Sequence, residues 1–405
     1  TGAVSVVKVD ELKKVPENNP MRALQGKVAG MMVTADGNPG GKATIRIRGV
    51  GTLNNNDPLY IIDGVPTKAG MHELNSSDIE SIQVLKDASS AAIYGSRAAN
   101  GVVIVTTKEG SNTEGKPIID LSANVGVSSP SKYLDLLDAA GWAEVTTVSR
   151  RAAGLSPLEM AQDLASKPDN DWQDLMFGPA LMQNYALSVK GGGKYSTYYN
   201  SVGYTNQDGV MKGTNYQRYT LQSKQDFKKG IFQAGTNVVL TYDQSNPLYS
   251  VIRGGMVGHT LQAIPTWEQY DENRTGGYGG LYGDVVNLTH PLGMVDDNLM
   301  KRYSDNVKIF ANAYVSVELM KGLKYKLNLT PDFQFYRYNS YEGLFDFGLA
   351  KHDITAVTEQ QTRTRNILVE NLLTFDRTFG DHKVSALVGY TYQDSGKECR
   401  QELLK

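Results

Sequence analysis

The side chains most often recruited to chemistry are present in this chain, but their spacing supports no reaction. His72, His259, His290, His352 and His382 are scattered, with no HExxH run and no triad-like neighbourhood. Cys399 is the lone cysteine, so a disulfide framework and a cysteine-built zinc site are excluded. Asp169-Asn170-Asp171 hints at calcium, yet the rest of an EF-hand is missing. Gly49-Val50-Gly51 follows a predicted strand without the third glycine or the helix of a dinucleotide loop. No catalytic residue, metal or cofactor is expected, and the chain does not read as an enzyme.

Binding is better provided for than catalysis. Asn54, Asn55 and Asn56 occupy the tip of a predicted loop, where amides could bond sugar hydroxyls or peptide groups; a plain turn is the equal alternative. Trp267, Tyr270 and Tyr278 lie in a glycine-rich stretch, where rings could stack on a ligand or simply pack the loop. Arg46, Arg48 and Arg97 with Asp63, Asp78 and Asp87 form a charged set within the first 110 residues, suited either to breakable polar contacts with another element or to an exposed face.

Bulk properties narrow the classes. Formal charge is −2 with no strong basic block, which argues against a nucleic-acid partner. Mean hydropathy is −0.36 and no run of about 18 apolar residues exists, so a membrane-crossing helix is not expected. Transmembrane β-strands leave little such signal, because only alternate residues are apolar. Tyrosine, at 23 residues against 10 Phe and 3 Trp, suits barrel walls and interface girdles, and also soluble β-proteins. The first 15 residues lack the pattern of a signal peptide, as in a mature or truncated chain.

The elements that must position these residues fall into two parts. Up to about residue 110 the chain is mixed. A short helix is expected over Pro20–Gly26, and strands near Val28–Val33, Thr44–Gly49, Leu59–Ile62, Ser81–Lys86 and Gly101–Thr107. A tight turn is expected at Asp63-Gly64, and a helix over Asp87–Tyr94. From about 116 onward nine strands alternate apolar and polar faces: 117–127, 183–191, 195–207, 215–227, 231–243, 306–320, 322–336, 364–378 and 382–394. Tight turns alternate with the longer connections 128–182, 208–214, 244–305 and 337–363, the rhythm of a barrel threaded through a membrane. Within 128–182, helices are expected over Tyr133–Arg151 and Pro157–Ser166.

The segments LQGKVAGM, IRIRG, PLYIIDGVP and DIESIQVLKDASSAAIYGSRAANGVVIVTTKEG, in this order, resemble the plug domain of TonB-dependent outer-membrane transporters, and more narrowly the SusC/RagA branch of Bacteroidetes. The resemblance is dense over residues 1–110. It implies a mixed fold: a small α/β plug (1–115), then an antiparallel transmembrane β-barrel portion (116–405), partial at about nine strands. Relatives close 22 strands, and an open barrel edge cannot face lipid. The chain therefore reads as the N-terminal portion of a larger transporter, without the upstream TonB-contacting box. The resemblance further implies import of an oligosaccharide or peptide across the Gram-negative outer membrane. The expected partners are a SusD-like surface lipoprotein, the TonB-ExbB-ExbD complex and outer-membrane lipid. Two rivals remain from residues alone. A β-rich glycan-binding adhesin explains the strands but not residues 58–110. A glycan hydrolase needs a carboxylate pair that nothing here suggests.

Overall fold

The computed structural model describes residues 4–8, 19–35, 37–53, 55–67, 71, 74–87, 92–247 and 255–404. The N-terminal unit holds β1 (Val4–Lys8), β2 (Met31–Ala35), β3 (Ala43–Ile47), β4 (Leu59–Ile62), β5 (Val65–Thr67), β6 (Ile79–Leu85) and β7 (Val102–Thr107). Five of them form a sheet in the order β1-β6-β7-β4-β5, and β2 pairs with β3. β4 runs parallel to β7, while β4 and β5 form a hairpin. Asp63 and Gly64 turn that hairpin at φ 48° and 86°, the left-handed pair a two-residue turn of this kind demands. β7 is a central strand, and Val102, Val103 and Val105 are wholly buried, which explains the continuous β-branched run.

The remainder is one antiparallel wall of nine strands: β8 (Ile118–Ser128), β9 (Ala180–Gly192), β10 (Ser196–Asp208), β11 (Asn215–Lys229), β12 (Phe232–Asn246), β13 (Met300–Met320), β14 (Leu323–Glu342), β17 (Ala356–Phe379) and β18 (His382–Leu404). A separate hairpin, β15 (Phe345–Asp346) and β16 (Lys351–His352), lies between β14 and β17. Neighbours in sequence are neighbours in the sheet, with β8 and β18 at its edges. Turns at one end are tight. At Gly322 (φ 87°) an added Cβ would meet the Asp376 carbonyl at 2.6 Å.

The period-2 pattern sorts the wall's faces. On β11, Arg218, Thr220, Gln222 and Lys224 are buried while Tyr219, Leu221 and Phe227 are exposed. On β12, Asn237, Val239 and Thr241 are buried while Leu240 and Tyr242 are exposed. The N-terminal unit sits against the buried, polar face, where Val239, Phe310 and Leu368 join its apolar core of Leu24, Ile45, Ile82 and Val105. On the opposite, outer face, Tyr185, Tyr204, Tyr219 and Tyr242 occupy one level of β9–β12, their ring centroids 5.0–6.4 Å apart. Phe227 and Phe232 mark a second level near the tight turns.

The elements depart from the pattern reading in five places. The helix expected over Pro20–Gly26 is a single 3₁₀ turn, Arg22–Leu24. β13, β14, β17 and β18 run well past the predicted limits, so the connection expected over 337–363 shrinks to 343–355 with a small hairpin of its own. Sequences such as Gln360–Arg365 are polar on both faces, so alternation gives no sign of these extensions. The first loop helix, α1 (Ala139–Ala152), starts only where the Asp138 carboxylate accepts from the Gly141 N–H. Pro157–Ser166 forms no α-helix but two short 3₁₀ turns, separated by left-handed Asp163 (φ 51°). A short helix α2 (Trp172–Met176) and α3 (Gly255–Gln262) complete the loops. In the N-terminal unit, residues 88–91 of the expected Asp87–Tyr94 helix lie outside the described residues, and Ala92–Ala98 is a 3₁₀ segment broken at Gly95.

Candidate functional site

The polar contact between the N-terminal unit and the wall centres on Asp63. The hairpin turn aims its carboxylate at the wall. Oδ1 accepts from the Thr107 N–H at 2.9 Å, and Oδ2 accepts from the Thr107 hydroxyl at 2.5 Å and from Asn237 Nδ2 at 2.7 Å. Lys224 Nζ lies 3.4 Å from the same Oδ2 and 2.8 Å from Glu109 Oε1. Gln222 Nε2 donates to both the Thr107 hydroxyl and Asn237 Oδ1. Both the Asp63 and Lys224 side chains are about one-tenth exposed, so the pair is screened little by water. Such a contact resists rupture, and apart from Val239, Phe310 and Leu368 the surface uncovered when it breaks is polar.

Further contacts extend along the same face. Tyr199 donates to Asp78 Oδ1 at 2.7 Å. Burial pushes the Asp78 carboxyl up, and hydrogen bonds from Tyr199 and Ser201 pull it back. Gly40 lies flat on the Tyr216 ring, where an added Cβ would meet the ring at 2.1 Å, and its N–H donates to Gln207 Oε1. Gly110 abuts the backbone of Tyr198, at 2.3 Å from a built Cβ to the nitrogen. Arg97 donates to Gln393 at 3.1 Å beside a cavity of about 250 Å³, whose lining includes Pro66, Phe310, Asp332 and Asn366. Arg46 and Arg48 do not take part: they pair with Asp57 and Asp87 inside the N-terminal unit.

The long loops build a second candidate region. Trp172, Met176, Met256, Trp267, Leu281, Met294, Phe345 and Phe347 share one apolar core above the wall. His290 sits at its centre, wholly buried, with ring centroids at 4.6 Å from Trp267, 5.0 Å from Tyr278 and 5.2 Å from Trp172. Trp267 is itself fully buried and offers no face to a ligand. Tyr278 donates to Asp296 at 3.0 Å, and Tyr270 packs against it while remaining 62 % exposed. Asn55 and Asn56 bond within their own loop. Asn56 accepts from the Gly51 and Thr52 N–H groups and donates to the Thr52 carbonyl, and Asn55 Oδ1 accepts from the Asp57 N–H. Asn54 and His72 lie outside the described residues.

Burial without a charge partner pushes the His290 imidazole down to about 4. The unfolded loops bind a proton near pH 6.5, and the folded loops resist it until about 4. Folding stability from this group is therefore complete above pH 6.5 and falls by about 3 kcal/mol as pH drops to 4. The three tryptophans, Trp142, Trp172 and Trp267, all lie in these loops, so their fluorescence reports this core selectively. A red shift between pH 6.5 and 4 is expected, and His290→Phe should shrink it markedly.

Asn237, Lys224, Gln222 and Glu109 were missed as site residues by sequence reasoning. The available signal was a lysine in mid-strand on the polar face of β11, where solvent exposure is the ordinary reading. Among the described residues no three His, Cys, Asp or Glu side chains gather to hold a metal, and no described helix is long and apolar enough to cross a membrane.

Comparison with known proteins agrees with this geometry. The family described as TonB-dependent Receptor Plug Domain matches residues 1–102. TonB-dependent receptor P26 of Formosa agariphila is 31 % identical over 98 % of this chain and 40 % of its own length. TonB-dependent receptor SusC of Bacteroides thetaiotaomicron is 34 % identical over 79 % of this chain and 32 % of its own. The RagAB peptide importer in its closed-closed state superposes with a TM-score of 0.83 at 25 % identity, over 99 % of this chain and 48 % of that one. The unliganded ferric citrate transporter FecA, at 12 % identity and a TM-score of 0.61, shares the fold. The chain thus spans two fifths or less of these curated relatives' length. An α/β plug sheet held by polar contacts to the inner face of an antiparallel strand wall, here a partial barrel, defines a TonB-dependent receptor. Within that class, the chain belongs to the SusC/RagA-like branch.

Proposed function

We propose that this chain forms the plug and the first nine wall strands of an outer-membrane importer, in which the plug gates the lumen. The observation that carries this reading is the charged contact of Asp63 with Lys224 and Asn237. A plug held largely by polar bonds to a polar wall can be pulled and re-seated at the cost of exposing only the small apolar contact with Val239, Phe310 and Leu368. The outer face fits a bilayer. On β11, Tyr219 and Phe227 are eight residues apart, which spans about 26 Å along the strand and about 20 Å across a tilted wall, near the height of a lipid-facing band. The tight turns then face the periplasm and the loop core faces outside.

The cargo is an oligosaccharide or a peptide, in keeping with relatives named SusC and RagAB peptide importer. The partners are a SusD-like lipoprotein over the loops and TonB-ExbB-ExbD below the plug. The test is uptake by cells carrying the full-length protein. Labelled oligosaccharides or peptides should accumulate in the periplasm, and accumulation should cease when a protonophore collapses the energy supply. Surface binding that persists with no uptake under any condition would favour the adhesin reading instead.

A further inference from the structure

We propose that the outer face of the wall binds an anionic glycerophospholipid, with an acyl chain in a groove across β10–β14 and the phosphate between Lys194 and Lys229. The inference rests on the reading that this face meets lipid. The groove encloses about 540 Å³. Its floor is Ala234, Thr236 and Ala313, and its sides are Tyr198 and Phe227 on one flank and Leu327 and Leu329 on the other. Thr236 stands directly opposite Ala313 in the β12–β13 register, so small side chains on adjacent strands leave a recess between the larger ones at Tyr198, Phe227, Leu327 and Leu329. A trough of this width suits a hydrocarbon chain. The trough alone confers no preference, because lipid tails surround it in any case.

Selectivity comes from its mouth. Ser196, which lines the groove, faces Phe227 across the β10–β11 rung, and the next residue toward the turn is Tyr195. Two cations gather at the Tyr195 ring, with Lys194 Nζ 5.3 Å and Lys229 Nζ 5.6 Å from its centroid. The Lys228 N–H donates to the Tyr195 carbonyl at 2.7 Å and holds the two turns together. Both lysines are exposed, and among the described residues neither has a carboxylate partner. Asp226 also borders the groove, but its Oδ1 accepts from the Tyr314 hydroxyl at 2.6 Å. Two ammonium groups without a carboxylate partner, each two residues beyond a hydrocarbon trough and at the level where the headgroups of the periplasmic leaflet lie, match one phosphate above its acyl chain.

The test is native mass spectrometry of the full-length protein, delipidated in detergent and then given dioleoylphosphatidylglycerol or dioleoylphosphatidylcholine. The wild type should retain phosphatidylglycerol preferentially. Lys194→Gln with Lys229→Gln should lower that retention about tenfold or more, the scale expected for two cations at an anionic lipid surface, and leave phosphatidylcholine unchanged. Ala313→Leu, with both lysines in place, should lower it by filling the trough. Equal retention of the two lipids by the wild type, or no effect of the lysine pair, overturns the inference. A protein that stays soluble once detergent is removed and holds no lipid contradicts the outer-face reading itself. One that needs detergent yet does not discriminate contradicts only the lipid site.

Discussion

Replacing Asp63 with asparagine is expected to weaken the seating of the plug by about 3 kcal/mol, the cost of leaving a buried charge without its partner. The substitution keeps the turn, because asparagine tolerates the left-handed backbone at φ 48°. It removes the negative charge facing Lys224 and turns part of the acceptor set into a donor opposite Asn237 and Thr107. Lys224 keeps Glu109 at 2.8 Å, but the Glu109 side chain is 57 % exposed and offers a weaker, screened partner. Removing both charges with Lys224→Met should recover at least half of the loss, since a well-packed neutral pair lacks the desolvation penalty. Asp57→Asn is the control: it breaks the more exposed Arg46 pair within the plug and should change little. The measurement is protease sensitivity of the plug in the full-length protein across a urea series. An Asp63→Asn profile that overlays Asp57→Asn would show that the latch does not hold the plug.

Much of this architecture was legible from residue order. The Asp63-Gly64 turn was read from its dipeptide, and β11 and β12 from strict alternation, because both signals are local. The latch partners were not legible in the same way. Asp63 meets Asn237 across 174 residues, and Gln222 meets Thr107 across 115, so no window of sequence contains both members of either pair. Trp267 illustrates a different limit. An aromatic residue among glycines looks alike whether it greets a ligand or fills a core, and only the convergence of three loops on His290 settles its burial. The charged set divided for a similar reason: Asp63 and Arg97 reach the wall, whereas Arg46 and Arg48 find carboxylates within the plug.

The second large effect comes from fixing the plug in place. Asn75 caps the short helical turn before β6, and its side chain faces Gly203 of β10, where a Cβ would stand 3.5 Å from Asn75 Cγ. A cysteine sulfur at 75 would stand near the present Cγ, close to the Cβ of a cysteine at 203, so the pair is expected to form a disulfide on oxidation. Loss of the Asn75 cap costs about 1 kcal/mol, and the Thr220 hydroxyl near Gly203 can rotate aside. The bond joins plug to wall without touching the outer loops. Capture of ligand outside should survive it, while passage through the lumen should not.

The central claim, that the plug must move against the wall for cargo to pass, is therefore tested most directly by uptake through the Asn75→Cys/Gly203→Cys protein. Uptake is predicted to fall to background when the pair is oxidised and to return on reduction, with surface binding constant throughout. Uptake at the wild-type rate with the cross-link complete would contradict the account.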